Sequence, residues 1–356
     1  MGINYFELEV RGKKIRVPSL CVDDKTVIVL GKWLGMASVF DEEWLVGEAV
    51  VDPESFVTEL KQHRLKADVF TFSQKLPQIE PKHRYHMEWD NVAAIPTATY
   101  SDWWDNRLPQ ETRKNVRRSV RRGVIVKAMD LDDEFIRGIV AIYNETPIRQ
   151  GQRFAHYGKD FDTIRKEVSP LLDRSEFIGA YFGGDLIGFI KLVYMGEVAG
   201  ILHIVSMNKH YDKRPTNALI AKAVEICNSK GIKYLVYGKY TYGNKTNSPL
   251  SEFKRRNGFE KVLVPRYYLP LSLKGRISIK LKLHRGLLGL LPADVITSLL
   301  KLRSQFFQRL LPAIHSVAES GPARGHENDF QTEPERQHSK MNEILNASGI
   351  KKDSTI

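Results

Sequence analysis

The chain is short of cysteine: Cys21 and Cys227 are the only two among 356 residues. They show no metal or redox spacing, which excludes a disulfide framework and a zinc finger and fits a reducing compartment. Cys227 falls on the apolar side of a predicted helix and reads as a buried small hydrophobe. Long hydrophobic runs are missing too. No stretch of about 18 apolar residues occurs, so no membrane-spanning helix is expected. The opening MGINYFELEVRGKK has no signal-peptide core, and Phe6 stands where a myristoylation signal wants Ser or Thr. A Walker loop, a GxGxxG fingerprint and a Ser-His-Asp pattern are all lacking, which disfavours NTPase, Rossmann and hydrolase chemistry. His83, His86, Glu88 and Asp90 crowd together in QIEPKHRYHMEWDN, but the spacing matches no zinc pattern. A polar loop leading into a strand, VAAIPT, is expected there, and no metal.

The length suits two domains, and a 42% hydrophobic content is enough for most of the chain to fold. The net charge of +12 points to a polyanionic partner: nucleic acid, an anionic membrane face or a phosphorylated substrate. Solubility with a few local basic patches is the plainer reading.

Residues 3–50 read as β-rich. FELEV, KIRVPSL and TVIVLG carry strand alternation, and GEAVVD suggests a further short strand. Residues 53–66 predict a helix opening on a proline, and ADVFTFSQKLP a strand. In SDWWDNRLPQETRKNVRRSVRR, Ser101 caps a short helix and Pro109 opens a second one. That helix carries Arg113, Lys114, Arg117, Arg118, Arg121 and Arg122 around a thin apolar side of Val116 and Val120. It is either a solvated basic helix, a phosphate-contacting helix or a nucleic-acid contact.

Residues 175–270 organise the rest. They read strand, turn, strand, turn, strand, basic loop, helix, strand, loop, helix, strand. Gly183-Gly184-Asp185 is a strong hairpin signal and Gly196-Glu197 a weaker one. The third strand, ILHIVSM, feeds a helix through NKHYDKRPTN. A strand entering a helix through a basic loop can hold an anion at the helix N-terminus. After Pro270 the chain is basic and apolar together. Val295, Leu299, Leu302, Phe306 and Leu310 form a helical stripe, fitting either an interfacial membrane helix pair or a hairpin docked on the body. From Ser316 onward the sequence is polar and aperiodic and reads as a disordered tail.

Two stretches carry a resemblance: RKNVRRSVRRG, and the run from ILHIVSM through KAVEICNSKGIKYLVYG to LSEFKRRNGF. Together they resemble the FemAB-like branch of the GNAT superfamily of N-acyltransferases, including proteins associated with cell-envelope polysaccharide. The resemblance covers residues 100–125 and 170–270 and stops before residue 273. It implies an α+β fold of two tandem GNAT-like units with mixed, mostly antiparallel sheets. The expected division is 1–128 and 129–272, followed by basic amphipathic helices over 273–315 and the tail over 316–356.

The resemblance also assigns roles. ILHIVSM matches the family's fourth core strand, so Val205, Ser206 and Met207 match the positions that pair with a pantetheine arm. Lys213, Arg214, Thr216 and Asn217 stand at the pyrophosphate loop. The family's glycines are absent there, which restricts backbone approach to phosphate; basic side chains can substitute as direct ligands. Lys254 stands four residues before Gly258, where many acetyltransferases place a tyrosine acid, and it matches a lysine that faces a substrate phosphate in the FemAB-like branch. Tyr240 and Tyr242, with Tyr237, flank the groove entrance, either as packing or as a proton donor to the leaving group. His203 is a candidate base or a structural histidine. Arg113, Arg117 and Arg121 are the candidate substrate-binding residues.

The first expectation is an acyltransferase using acyl-CoA, without a metal, on an amine of an amino sugar or another envelope precursor. It would be cytoplasmic, with residues 273–315 offering peripheral contact to the inner membrane face. The second takes the acyl group from aminoacyl-tRNA; the basic helix and glycine-poor loop favour it, and the lack of a long helical arm counts against it. The third is a non-catalytic module that binds membrane or nucleic acid.

Overall fold

The structure is a computed structural model and describes residues 4–10, 13–44, 47–149, 152–242 and 248–285. The chain opens with an antiparallel meander of β1 (Asn4–Val10), β2 (Lys13–Val22) and β3 (Lys25–Leu30). Asp23 and Asp24, both left-handed, make the two-residue turn between β2 and β3. Next come β4 (Met36–Val39), α1 (Pro53–Gln62) and β5 (Val69–Ser73). β4 and β5 pair in parallel, so α1 is the crossover between them. The expected strand at GEAVVD is absent. Residues 47–51 form bends because Gly47 takes φ +91° and Asp52 already serves as the α1 N-cap. Ala49 and Val50 still reach the core.

β6 (His86–Pro96) is longer than expected. Its polar first half, taken for a loop, is strand because residues 86–94 pair with the last strand of the fold, from Tyr268↔His86 to Glu260↔Ala94. A helical turn, α2 (Tyr100–Asp102), a π-turn over Trp103–Arg107 and α3 (Gln110–Arg121) follow. The next elements are β7 (Ile125–Met129), α4 (Asp133–Tyr143), the short pair β8 (Ile148–Arg149) and β9 (Gln152–Arg153), and α5 (Phe161–Val168). Then β10 (Ser175–Phe182), β11 (Asp185–Met195) and β12 (Val198–Ser206) form an antiparallel meander through the two glycine turns expected from the sequence. α6 (Pro215–Ser229) crosses over to β13 (Tyr234–Val236), parallel to β12. α7 (Pro249–Arg256), β14 (Glu260–Pro270) and α8 (Leu273–Lys280) complete the described chain.

Twelve strands form one open, mostly antiparallel sheet in the order β1-β2-β3-β4-β5-β14-β6-β13-β12-β11-β10-β7. The two parallel pairs, β4/β5 and β12/β13, are the same supersecondary unit occurring twice. Between them the units exchange strands. β14, which ends the second unit, pairs with β5 of the first, and β6 pairs with β13 of the second. The two cores follow this exchange rather than the expected boundary at 128/129. One gathers Leu20, Val27, Phe56, Phe70 and Phe72 with Tyr267 and Leu269 from β14. The other already takes Ile95, Trp103, Leu108 and Val124 to join Phe135, Phe189 and Leu219.

α8 packs by Ile279 against Leu34 and Val69. Gly275 is needed there, since a Cβ at that position would overlap the Asp68 carbonyl. The helical stripe from Val295 to Leu310 and the tail lie outside the described residues. No helix among the described residues is long and apolar enough to cross a membrane.

Candidate functional site

β12 pairs with β13 only over Val198–Gly200. Beyond that, β13 continues onto β6: the Tyr237 N–H donates to the Ala93 carbonyl at 2.9 Å, and the Ala93 N–H donates to the Gly238 carbonyl at 2.8 Å. A bulge at Leu202 shifts the β11–β12 register at the same level. The two parallel strands therefore part. The edge of β12 from Ile201 to Ser206 has no ladder partner on the β13 side among the described residues. Two cavities lie along this opened edge.

The larger, about 360 Å³, sits where β12 ends at Ser206 and Met207 and α6 begins. Arg214, Thr216 and Asn217 line it from α6, Asn115 from α3, and Arg255 and Arg256 from α7. Arg214 takes a left-handed conformation, φ +55°, which lets Pro215 start the helix. The first turn of α6 has no acidic residue and no side-chain cap, so the positive end of the helix dipole faces the cavity. Polar contacts fix the walls. The Ser206 and Thr216 hydroxyls lie 2.9 Å apart, the Asn217 amide donates to Asn257 Oδ1 at 2.9 Å, and the Thr112 hydroxyl donates to the Arg256 carbonyl at 2.6 Å. Arg255 and Arg256 are oriented by Glu252 at 2.7 Å each; their hydrogen bonds hold its carboxyl down at about 2. Such a site suits a phosphorylated group.

The smaller cavity, about 50 Å³, lies between the two units. The first unit supplies Glu43, Lys75 and Leu76, and the second supplies Gly200, Ile201 and Leu202 of β12. A buried charge network surrounds it. Asp90 Oδ2 accepts from Lys239 Nζ at 2.8 Å and from Arg266 Nε at 2.9 Å, and Arg266 also donates to Glu42 at 2.7 Å. Burial disfavours the Asp90 carboxylate, but Lys239 and Arg266 outweigh it and hold the group down at about 2. Lys254 is fully buried. Its Nζ donates to the Lys239 carbonyl at 2.6 Å beneath the rings of Tyr237 and Tyr242, 4.8 and 5.3 Å from their centroids. Burial pushes its ammonium down to about 7, with Glu43 pulling the other way. Burial also pushes the Glu43 carboxyl up, against the opposing pull of Lys239, Lys75 and Lys254.

The residues singled out in the sequence scatter accordingly. Ser206, Met207, Arg214, Thr216 and Asn217 line the larger cavity together. Val205 is buried in the second core instead, and the Lys213 ammonium lies 4.6 Å from the Phe182 ring centroid, beside Asp212. Lys254 and Tyr242 come together, while Tyr240 is half-buried against the core, its carbonyl accepting from the Ser251 hydroxyl at 3.2 Å. His203 lines neither cavity. The bulge sets both Ile201 and Leu202 along the smaller one, and His203 lies with α4, its Nδ1 3.5 Å from the Tyr143 hydroxyl.

The arginines of α3 also sit away from the cavities. Arg113 donates to the Trp104 and Asp105 carbonyls, at 3.2 and 2.9 Å; Arg117 lies over the Trp104 ring at 5.7 Å; Arg121 is exposed. The inward side of α3 is Thr112, Val116 and Ser119, and Val120 is 66% exposed. Of the polar cluster near residue 83, His86 and Glu88 meet His284 within 4.8 Å. Arg285 and His284 both reach the same Glu88 oxygen, at 2.9 and 2.8 Å, so the cluster reads as an ion-paired strap holding the segment after α8. Glu43 and Lys75 escape any reading of the sequence: neither sits in a motif, and only the strand exchange carries them to β12. Arg255 and Arg256 had a local signal, the basic last turn of α7.

No protein-family model matches the sequence, and no curated protein does. Several solved structures align with parts of the chain at low identity. One is FemX, with a TM-score of 0.48 and 11% identity over 79% of this chain and 91% of FemX. Another is L-PGS from Bacillus licheniformis, with a TM-score of 0.46 and 13% identity over 76% of this chain and 88% of that one. The PaiA N-acetyltransferase from Thermoplasma acidophilum, solved in complex with coenzyme A, has a TM-score of 0.29 and 20% identity over 41% of this chain and 99% of its own. The chain's own topology is α+β, with two parallel crossovers in one mostly antiparallel sheet and a split beside the second.

Proposed function

We propose that the chain is an acyltransferase that moves an acyl group from acyl-CoA to an amine. One observation carries this reading: the split edge of β12 runs from a cavity walled by Arg214, Arg255, Arg256 and the α6 N-terminus to a second cavity beside Lys254. That end sets Arg214, Arg255 and Arg256 against one lining acid, Glu111, which suits the phosphates of the donor. The strand edge, which lacks a ladder partner from Ile201 on, offers backbone hydrogen bonds to an extended arm up to Ser206, whose carbonyl already accepts from Arg149 at 2.8 Å. The inner end is narrow and lined mainly by apolar side chains beside Glu43 and Lys75, a setting that strengthens electrostatic interactions with a reacting carbonyl. An amino sugar or another envelope precursor is the acceptor class that the family resemblance brings. A second reading keeps the chemistry but takes the donor from aminoacyl-tRNA. It is favoured by Lys213 and Arg214 standing where acyl-CoA enzymes place glycines, and the same cavity then holds a nucleotide phosphate.

Calorimetric titration with acetyl-CoA and desulfo-CoA separates the two. Binding of either, weakened by Arg214→Ala by about tenfold or more from the loss of a charge-assisted contact, is the expected result. No binding at millimolar ligand would sink the acyl-CoA reading and leave aminoacyl-tRNA.

A further inference from the structure

We infer that the cavity between the two units receives the acceptor's amino group, and that the Glu43 carboxylate takes the proton which this amine loses on attack. The inference rests on the acyl-transfer reading above and assigns the base that His203 does not provide.

Three observations carry it. The cavity opens onto the same free edge of β12 as the donor cavity. Leu202 lines one and Ser206 the other, a separation of roughly 13 Å at about 3.3 Å per strand residue. A donor anchored at α6 therefore points its acyl end toward Gly200–Leu202. Next, Glu43 and Lys75 are the two ionisable side chains lining the cavity among the described residues, and the other walls are Leu76, Val92, Val198 and Val236 with backbone at Gly200 and Gly238. Lys75 is turned to the Glu42 carbonyl. Glu43 is thus the carboxylate that meets whatever enters. Finally, the groups that act on Glu43 are Lys75 and Lys239, Lys254 from α7, and Asp90 from β6. A small, mostly apolar cavity disfavours an ammonium ion and favours the neutral amine, which is the nucleophile; the same burial pushes the Lys254 and Lys75 ammonium groups down. The burial that raises the Glu43 carboxyl makes it a stronger base than a surface glutamate.

The step balances. The amine nitrogen attacks the thioester carbonyl carbon, a C–N bond forms, and its N–H proton passes to a Glu43 oxygen. The tetrahedral intermediate collapses, the C–S bond breaks and coenzyme A leaves as thiolate. Glu43 then returns its proton to solvent or to that thiolate.

The test compares wild type with Glu43→Gln and Glu43→Asp in the full chain, using acetyl-CoA and two small amines. Both amines lose an N–H proton on attack, but the adduct of the strongly basic ethylamine holds it until a base takes it, whereas the more acidic nitrogen of the hydroxylamine adduct gives it up to water. Wild type is expected to acetylate both. Glu43→Gln should lose about 100-fold or more with ethylamine, the usual worth of a general base. It should stay within about threefold of wild type with hydroxylamine, and Glu43→Asp should recover part of the ethylamine rate. Equal losses with both amines would mark Glu43 as structural and overturn the inference, as would no loss with either. If coenzyme A binds but wild type acetylates neither amine, the cavity is not an amine site and the inference fails alone. If coenzyme A does not bind, the acyl-CoA reading itself has failed.

Discussion

The two parallel crossovers of the sheet share a topology and begin their helices in opposite ways. In the first, α1 is capped by Asp52, whose carboxylate accepts from the Glu54 and Ser55 N–H groups at 3.0 and 3.2 Å, and Glu54 adds a second acid to the first turn. The protein supplies its own anion, and the helix end is closed. In the second, α6 starts from a left-handed Arg214, carries no acid in its first turn, and opens onto a 360 Å³ cavity. The sheets differ in the same sense. β4 is four residues long, three of them paired with β5, whereas β12 runs on for six residues after leaving β13. A repeated unit is closed by its own acid in one copy and opens onto a cavity in the other, and the residues at the two helix starts differ accordingly.

The sharpest way to break this contrast is to give α6 the start that α1 has. Arg214→Asp should abolish coenzyme A binding in calorimetry, a loss beyond about 100-fold, because a charge-assisted contact worth about 1.5–3 kcal/mol is replaced by repulsion. Binding retained within about tenfold would mean that α6 is no more an anion site than α1.

A second test concerns the joint between the two units. The Asp90 carboxyl is held at about 2 by Lys239 and Arg266 after burial is offset, so its folded pKa lies below its ordinary value of about 3.9. Its contribution to stability is therefore complete above pH about 4 and lost as pH falls toward 2. Thermal melts from pH 6 to 2 should show a steeper loss for wild type than for Asp90→Asn, which should already be less stable at pH 6. Parallel curves for the two proteins would remove Asp90 from the joint.

The smallest expected effect is at the closed end. Asp52→Ala removes the α1 cap and should cost about 1 kcal/mol of stability in denaturant titration, leaving coenzyme A affinity unchanged. Any change in affinity would mean that the two helix ends are coupled.

Much of the second unit was legible in the sequence because its signals are local. Gly183 and Gly184 take the positive φ that the hairpin between β10 and β11 demands, and the alternation of ILHIVSM with the loop before Pro215 marks β12 and α6. What stayed hidden depends on partners far along the chain. His86, Glu88 and Asp90 alternate with Met87, Trp89 and Asn91 as a strand should, but three polar side chains read as loop until β14, Lys239 and His284 supply pairing and charge. The basic run of α3 suggested a phosphate surface; Trp104 and the Asp105 carbonyl claim two of its arginines. His203 was singled out because it lies on the central strand, and one bulge at Leu202 decides which way it faces.

The exchange of β6 and β14 bears on the order of synthesis. Tyr267 of β14 donates its hydroxyl hydrogen to Gln74, 193 residues earlier, and β14 is the strand that joins β5 to β6. As the chain leaves the ribosome, the first unit emerges with β5 and β6 each lacking a neighbour, and both edges wait until residues 260–270 are made. Closing so long a loop is slow. The centre of the sheet can therefore close only once β14 has been made, with α8 still to dock after it.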